Sequence, residues 1–133
     1  MTAQNKLTVG VSDAKFSTSS SDVIVTHSLG SCIGVCLFDR NKKASGMLHF
    51  QLPSSKLDPE KGLAKPFMFS DTGMKLLMQT MLSAGCQKGF MSVKLAGGAA
   101  MRNGPANFDI GKRNHLAIRK YFWQAGIMIA AEE

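Results

Sequence analysis

The sequence predicts an α+β fold in a single domain, with two main helices packed on a mostly antiparallel sheet system. Three observations predict it. Six short apolar runs, each of strand length, are separated by polar or glycine-bearing turns. Two longer segments instead repeat their apolar residues every three or four positions, the helical spacing. The 133 residues, 44% hydrophobic and 19% charged, are enough for one core but not for two.

The first expected strands are Lys6 to Val11 and Val23 to His27, on either side of the polar stretch STSSSD (Ser17 to Asp22). Ile33 to Phe38 and Ser45 to Gln51 follow, then Met91 to Ala96 and Ile127 to Ala131. The first helix places Met74, Leu77, Met78, Met81 and Leu82 on one face, with Ser70 or Asp71 as N-cap and Gly85 as its stop. Its methionines read as adaptable core filler rather than a cofactor stripe. The second helix is expected from about Gly111 to Ala125, burying Ile118, Phe122 and Ala125, with Gly126 as its stop.

The formal net charge of +7 is spread over the chain, with small clusters at Arg40-Lys42-Lys43, Lys112-Arg113 and Arg119-Lys120. Nucleic-acid binders concentrate such charge or interleave it with aromatics. A solvated basic surface, or a face for an acidic protein partner, fits better. No apolar run approaches the ~20 residues of a membrane span. The N-terminal MTAQNKLTVGVSDAKF has no signal-like stretch, and three cysteines without CxxC spacing suit a reducing compartment. A cytoplasmic protein without membrane insertion is the expectation.

The chemistry-bearing stretch is THSLGSCIGVCLF (26–38), followed by GMLHFQLP (46–53). With Asp39-Arg40-Asn41-Lys42 as a hairpin turn, Cys32 faces His49 directly, Cβ atoms roughly 4.5–5.5 Å apart. A turn longer by one residue would send His49 to the other face. Cys32 and Cys36 fall about 13 Å apart along one strand, too far to pair or to share a zinc ion. Cys86 has no visible partner, so a metal site is disfavoured.

A thiol with a pKa of about 8.5 is a weak nucleophile at neutral pH, and an adjacent imidazole is the usual activator. The imidazole needs an orienting group on its other nitrogen, and the Thr26 hydroxyl is available for that. Gly30 lets the backbone bend, so that amides near Ser31 and Cys32 could meet an oxyanion. A packed thiol and a structural imidazole account for the same residues, and the residues alone leave both readings open.

In order along the chain, THSLGSCIGVCLFD with GMLHFQLP, then SDTGMKLLMQTML, KLAGGAAM, IGKRN and GIMIAAEE resemble the CheD family of bacterial chemoreceptor glutamine deamidases. The resemblance runs over nearly the whole chain from Leu7. It implies Cys32 as catalytic nucleophile, His49 as its base and Thr26 as the residue orienting the histidine. Ser28, Gly30 and Ser31 become candidates for the oxyanion or substrate loop. A layered α/β sandwich related to glutamine-deamidating toxins is implied as the fold.

The implied reaction converts glutamine to glutamate in the cytoplasmic helical region of chemoreceptors, through a thioester and without metal or cofactor. A CheC-type phosphatase is an implied partner; nucleic acid is not. The alternatives are a thiol-dependent methylesterase acting on receptor glutamyl esters, and a non-enzymatic CheD-like adaptor. The family pattern continues past AE with a closing hairpin of about two dozen residues, enough for two average strands. The domain, residues 1–133, is therefore expected to lack that hairpin. His27 is a minor candidate for a second imidazole, and His115 is expected at the surface.

Overall fold

The computed structural model describes residues 5–100 and 109–133. Strands β1 (Asn5–Val9), β2 (Asp13–Ser17), β3 (Asp22–Thr26), β4 (Ile33–Asp39) and β5 (Ala44–Phe50) come first. Helices α1 (Pro59–Ala64) and α2 (Ser70–Ser83) follow, then β6 (Met91–Gly97), α3 (Ile110–Ala125) and β7 (Ile129–Glu132). The main sheet has the order β2-β5-β4-β6-β7, antiparallel except for the β6–β7 pair, and β1 and β3 form a separate parallel pair. The α+β expectation holds: helices pack on a mostly antiparallel sheet. Among the described residues no helix is long and apolar enough to cross a membrane.

Strand alternation sorts the sheet into two faces. Ile33, Val35 and Leu37 of β4, Leu48 and Phe50 of β5, and Val93 and Leu95 of β6 form one face of the core. Met74, Leu77, Met78 and Met81 of α2 and Ile118 and Phe122 of α3 close it. A fully buried Ile or Phe contributes about 1.5–3 kcal/mol, so this layer supplies much of the fold's stability. Gly34 and Cys36 alternate with that face and belong to the opposite one, as do their partners His49 and Met47.

Several local expectations change. Leu82 is exposed, because the buried face of α2 ends at Met81. Neither Ser70 nor Asp71 caps α2: Phe69 holds the N-cap position, and the Asp71 carboxylate accepts from the Ser55 amide and hydroxyl instead. Helix α3 is capped by Asp109, whose carboxylate accepts from the Lys112 amide, and it stops at Gly126 with φ 73°. β2 was not expected. Its DAKFS sequence has little β-propensity, and it is held by antiparallel pairing to β5.

The β4–β5 register also differs, and Asp39 is the reason. Its carboxylate is fully buried and accepts from the amides of Asn41 (2.9 Å), Lys42 (2.8 Å) and Gln87 (2.8 Å). Asp39 therefore closes β4, pairing with Ala44, and the turn is Arg40 to Lys43, with Lys43 at φ 54°. The pairing moves by two residues, so His49 faces Gly34 rather than Cys32. A shift of two keeps every side chain on its face.

Burial alone would raise the Asp39 carboxyl, but the Lys42, Gln87 and Asn41 amides outweigh it and hold it below the usual value. A folded-state pKa below the unfolded one gives stability that is present above about pH 3.9 and lost as pH falls through the folded value. Asp39→Ala, which leaves the three amides without their acceptor, is expected to cost about 2–4 kcal/mol. Urea unfolding followed by circular dichroism, repeated at falling pH, should show this loss and a flatter acid limb in the variant.

Candidate functional site

His49 lies on β5, an interior strand with neighbours on both sides. Its carbonyl accepts from the Ser12 amide at 2.9 Å, and its side chain is 0% exposed. Across the ladder stands Gly34, where a Cβ would come within 3.2 Å of Leu29 Cδ2 and 3.5 Å of Thr26 Cγ2. The missing side chain leaves that space to Leu29 and Thr26, which close over the strand beside the imidazole.

Thr26 ends β3, and β1–β3 pairing sets it opposite Val9. Its hydroxyl donates to the Val9 carbonyl at 2.8 Å and lies 2.8 Å from His49 Nδ1. A threonine hydroxyl has one proton to give. With that proton on Val9, the ring contact requires Nδ1 to be the donor. The imidazole is therefore the Nδ1–H tautomer, with its lone pair on Nε2. Nε2 is buried and has no hydrogen-bond partner among the described residues.

Cys32 sits one residue before β4 begins. The loop leading to it turns through Ser28 (φ 59°) and Gly30 (φ 49°), and the Cys32 amide donates to the Leu29 carbonyl at 2.7 Å. That amide is thus unavailable to an oxyanion, against expectation. Three successive carbonyls are tied down. Gly30 accepts from the Ala99 amide (2.9 Å), Ser31 from Asn114 Nδ2 (2.9 Å) and Cys32 from the Gly98 amide (2.8 Å). In a trans peptide the C=O and the next N–H point in opposite directions, so fixing the Gly30 carbonyl turns the Ser31 N–H away from Ala99. Gly97 makes this clamp possible: at φ 98°, a Cβ there would lie 2.2 Å from the Cys32 oxygen.

His49 thus pairs directly with Gly34, two residues beyond Cys32, and its Nε2 makes no hydrogen bond to the thiol. Burial raises the Cys32 thiol and lowers the His49 imidazole, so both shifts favour a neutral pair at rest over a thiolate–imidazolium ion pair. Burial raises Cys36 and Cys86 as well; Lys94 draws Cys36 part of the way back, and Asp39 adds to the rise at Cys86.

Of the loop candidates, Ser28 and Gly30 are exposed and Ser31 is half-buried. His27 is exposed. His115 is half-buried rather than superficial, with Nε2 3.0 Å from the Gly97 oxygen and Nδ1 3.9 Å from Glu132. The end of the KLAGGAAM motif at Met101 lies outside the described residues. Among the described residues no group of three or more His, Cys, Asp or Glu is arranged to hold a metal.

Sequence reasoning did not single out Gly34 or Asn114. A glycine inside a strand run signals close approach, and Gly34 stands in the middle of CIGVCLF. Asn114 stands four residues before Ile118 and eight before Phe122, a polar residue on the core face of its helix.

The CheD family profile, described as CheD chemotactic sensory transduction, matches residues 51–133. Whole-chain relatives extend over the Cys32 and His49 segment. A protein of Solibacter usitatus named "Probable chemoreceptor glutamine deamidase CheD" is 42% identical over 127 residues, 96% of this chain and 75% of its own. A protein of Syntrophus aciditrophicus named "Probable chemoreceptor glutamine deamidase CheD 1" is 42% identical over 125 residues, 94% of this chain and 78% of its own. "Chemoreceptor glutamine deamidase CheD" of Bacillus licheniformis is 37% identical over 130 residues, 94% of this chain and 75% of its own.

The buried imidazole gives a pH signature. Its titration midpoint, followed by proton NMR of the ring, is expected below the ordinary value of about 6.5. A depressed histidine means the unfolded chain binds more protons, so stability is full above about pH 6.5 and falls as pH drops below it. A midpoint at or above the ordinary value would contradict the burial of the ring.

Proposed function

The chain belongs to the CheD family, and we propose that it converts glutamine side chains of chemoreceptors to glutamate, with Cys32 as nucleophile, His49 as base and acid, and Thr26 orienting the histidine. The observation that carries the reading is the Nε2 lone pair, buried and unpartnered on a histidine that pairs with Gly34, two residues along the chain from Cys32. The neutral resting pair suits general-base catalysis: the thiol gives up its proton as it attacks, not before.

In the proposed sequence the Cys32 sulfur bonds to the carboxamide carbon while its proton passes to His49 Nε2. The Ser31 amide is the donor offered to the oxyanion. Collapse breaks the C–N bond, and Nε2 returns its proton to the departing amine, releasing ammonia and leaving a thioester. Water then gives a proton to Nε2 and its oxygen to the acyl carbon, and the C–S bond breaks. The sulfur regains a proton and the product is a carboxylate. Thr26 holds Nδ1–H throughout, stabilising the imidazolium between steps.

The product gains a negative charge, which alters packing between receptor helices by electrostatics. The same reading includes a cytoplasmic location and a CheC-type phosphatase as regulatory partner, supported by the family resemblance.

Incubation with a receptor cytoplasmic fragment is expected to release ammonia and to raise peptide mass by about one dalton per glutamine, the balance of an amide hydrolysed through an acyl-enzyme. Cys32→Ala should abolish both, and His49→Ala should lower the rate by about 10²–10⁴-fold. Methanol from glutamyl methyl esters without ammonia from glutamine would reassign the protein as a methylesterase. Receptor binding without any modification by the wild type would make it an adaptor.

Selective alkylation supplies a substrate-free check. Cys32 should react faster than Cys36 and Cys86 near neutral pH, and His49→Ala should slow it. Equal rates at the three thiols would count against an activated site.

A further inference from the structure

Helix α3 reaches the site through one side chain. Asn114 is 0% exposed, and its Nδ2 donates to the Ser31 carbonyl at 2.9 Å and to the Gln51 carbonyl at 2.8 Å. Both partners are acceptors only, so the amide must turn its two protons toward them, one to each. The Ser31 carbonyl belongs to the peptide that joins Ser31 to Cys32. Gln51 lies two residues beyond His49, just past the end of β5.

Pairing between β4 and β5 ends at Ile33 and Phe50. Past that rung the Cys32 loop and the end of β5 would be free to separate. Asn114 spans the gap as an added rung, made of side chain instead of backbone. Among the described residues the loop is otherwise tied to the turn after β6, through the Gly98 and Ala99 amides. Those bonds fix its shape but not its distance from β5.

The arrangement carries a penalty. Asn114 Oδ1 is buried without a hydrogen-bond partner among the described residues. An unsatisfied buried acceptor is unfavourable, so the residue's own packing does not account for it. A double donor at this point is what the site needs, and the idle oxygen comes with it.

We propose that Asn114 is a positioning residue, holding the Ser31–Cys32 peptide and the end of β5 at the separation that lets the thiol meet His49 Nε2. The inference rests on the reading of Cys32 and His49 as nucleophile and base. Asn114 touches neither reacting group and acts through the two segments that bear them.

Two variants test it. Asn114→Ala removes both bonds, and Asn114→Ser keeps one donor in a smaller side chain. For each, kcat and KM for receptor-fragment deamidation are measured. Alkylation rates of Cys32, Cys36 and Cys86 are measured without substrate. Buried Cys86 reports whether the fold has opened.

Asn114→Ala is expected to lower kcat by about 100-fold, the cost of a misplacement near 1 Å, with KM little changed. Cys32 alkylation should slow toward the rate of His49→Ala while Cys86 stays protected, and Asn114→Ser should fall between. Unchanged kcat and unchanged Cys32 reactivity in a variant with Cys86 protected would overturn the proposal. So would losses in both variants that track the exposure of Cys86, which would make Asn114 merely structural. Were the wild type to release no ammonia while Asn114→Ala still slowed Cys32 alone, the positioning role would stand and the deamidase reading would fall.

Discussion

One hydrogen-bonded relay organises this molecule: the Thr26 hydroxyl donates to the Val9 carbonyl, and the Thr26 oxygen accepts from His49 Nδ1–H. Each step depends on a different level of structure. The parallel β1–β3 register sets Val9 opposite Thr26. The interior place of β5 keeps the imidazole out of water, and the bare backbone of Gly34 leaves Thr26 space beside it. The parallel pair β1–β3 is small and contributes little to the main core. Its value lies in presenting an acceptor whose only proton is already committed. A free hydroxyl at position 26 could donate to the ring instead, and Nε2 would then carry the ring proton.

The electrostatics follow from the same burial. Desolvation disfavours both charged forms, raising the thiol and lowering the imidazole. A pre-formed ion pair would hold the sulfur as thiolate at all times. A neutral pair leaves the proton on sulfur until a base accepts it during attack on an electrophile. The clamp on the Gly30, Ser31 and Cys32 carbonyls serves that end, since it fixes which amide of the loop faces outward.

How much of this is legible in the sequence differs from residue to residue. That the even-numbered residues of β4 share a face with His49 follows from strand period alone, and it holds in the observed register because the shift is two residues, an even number. The observed register departs from the expected one at Asp39. Its type suggests a turn, but burial and three amide donors make it the last residue of the strand. Thr26 is available from the sequence as a hydroxyl, but its selection over neighbouring serines needed the family resemblance. Asn114 was hidden for a different reason. Its partners are main-chain carbonyls at positions 31 and 51, and no side-chain pattern encodes a contact of that kind. β2 was hidden because long-range pairing to β5 overrides the weak propensity of DAKFS.

Nitrogen-15 NMR of the His49 ring, at a pH where it is neutral, tests the relay most directly. The relay requires a protonated Nδ1 and a bare Nε2 in the native protein, with that preference weakened in Thr26→Val. A native ring protonated at Nε2 would contradict it, because the nitrogen proposed as the base for Cys32 would then hold a proton instead of accepting one.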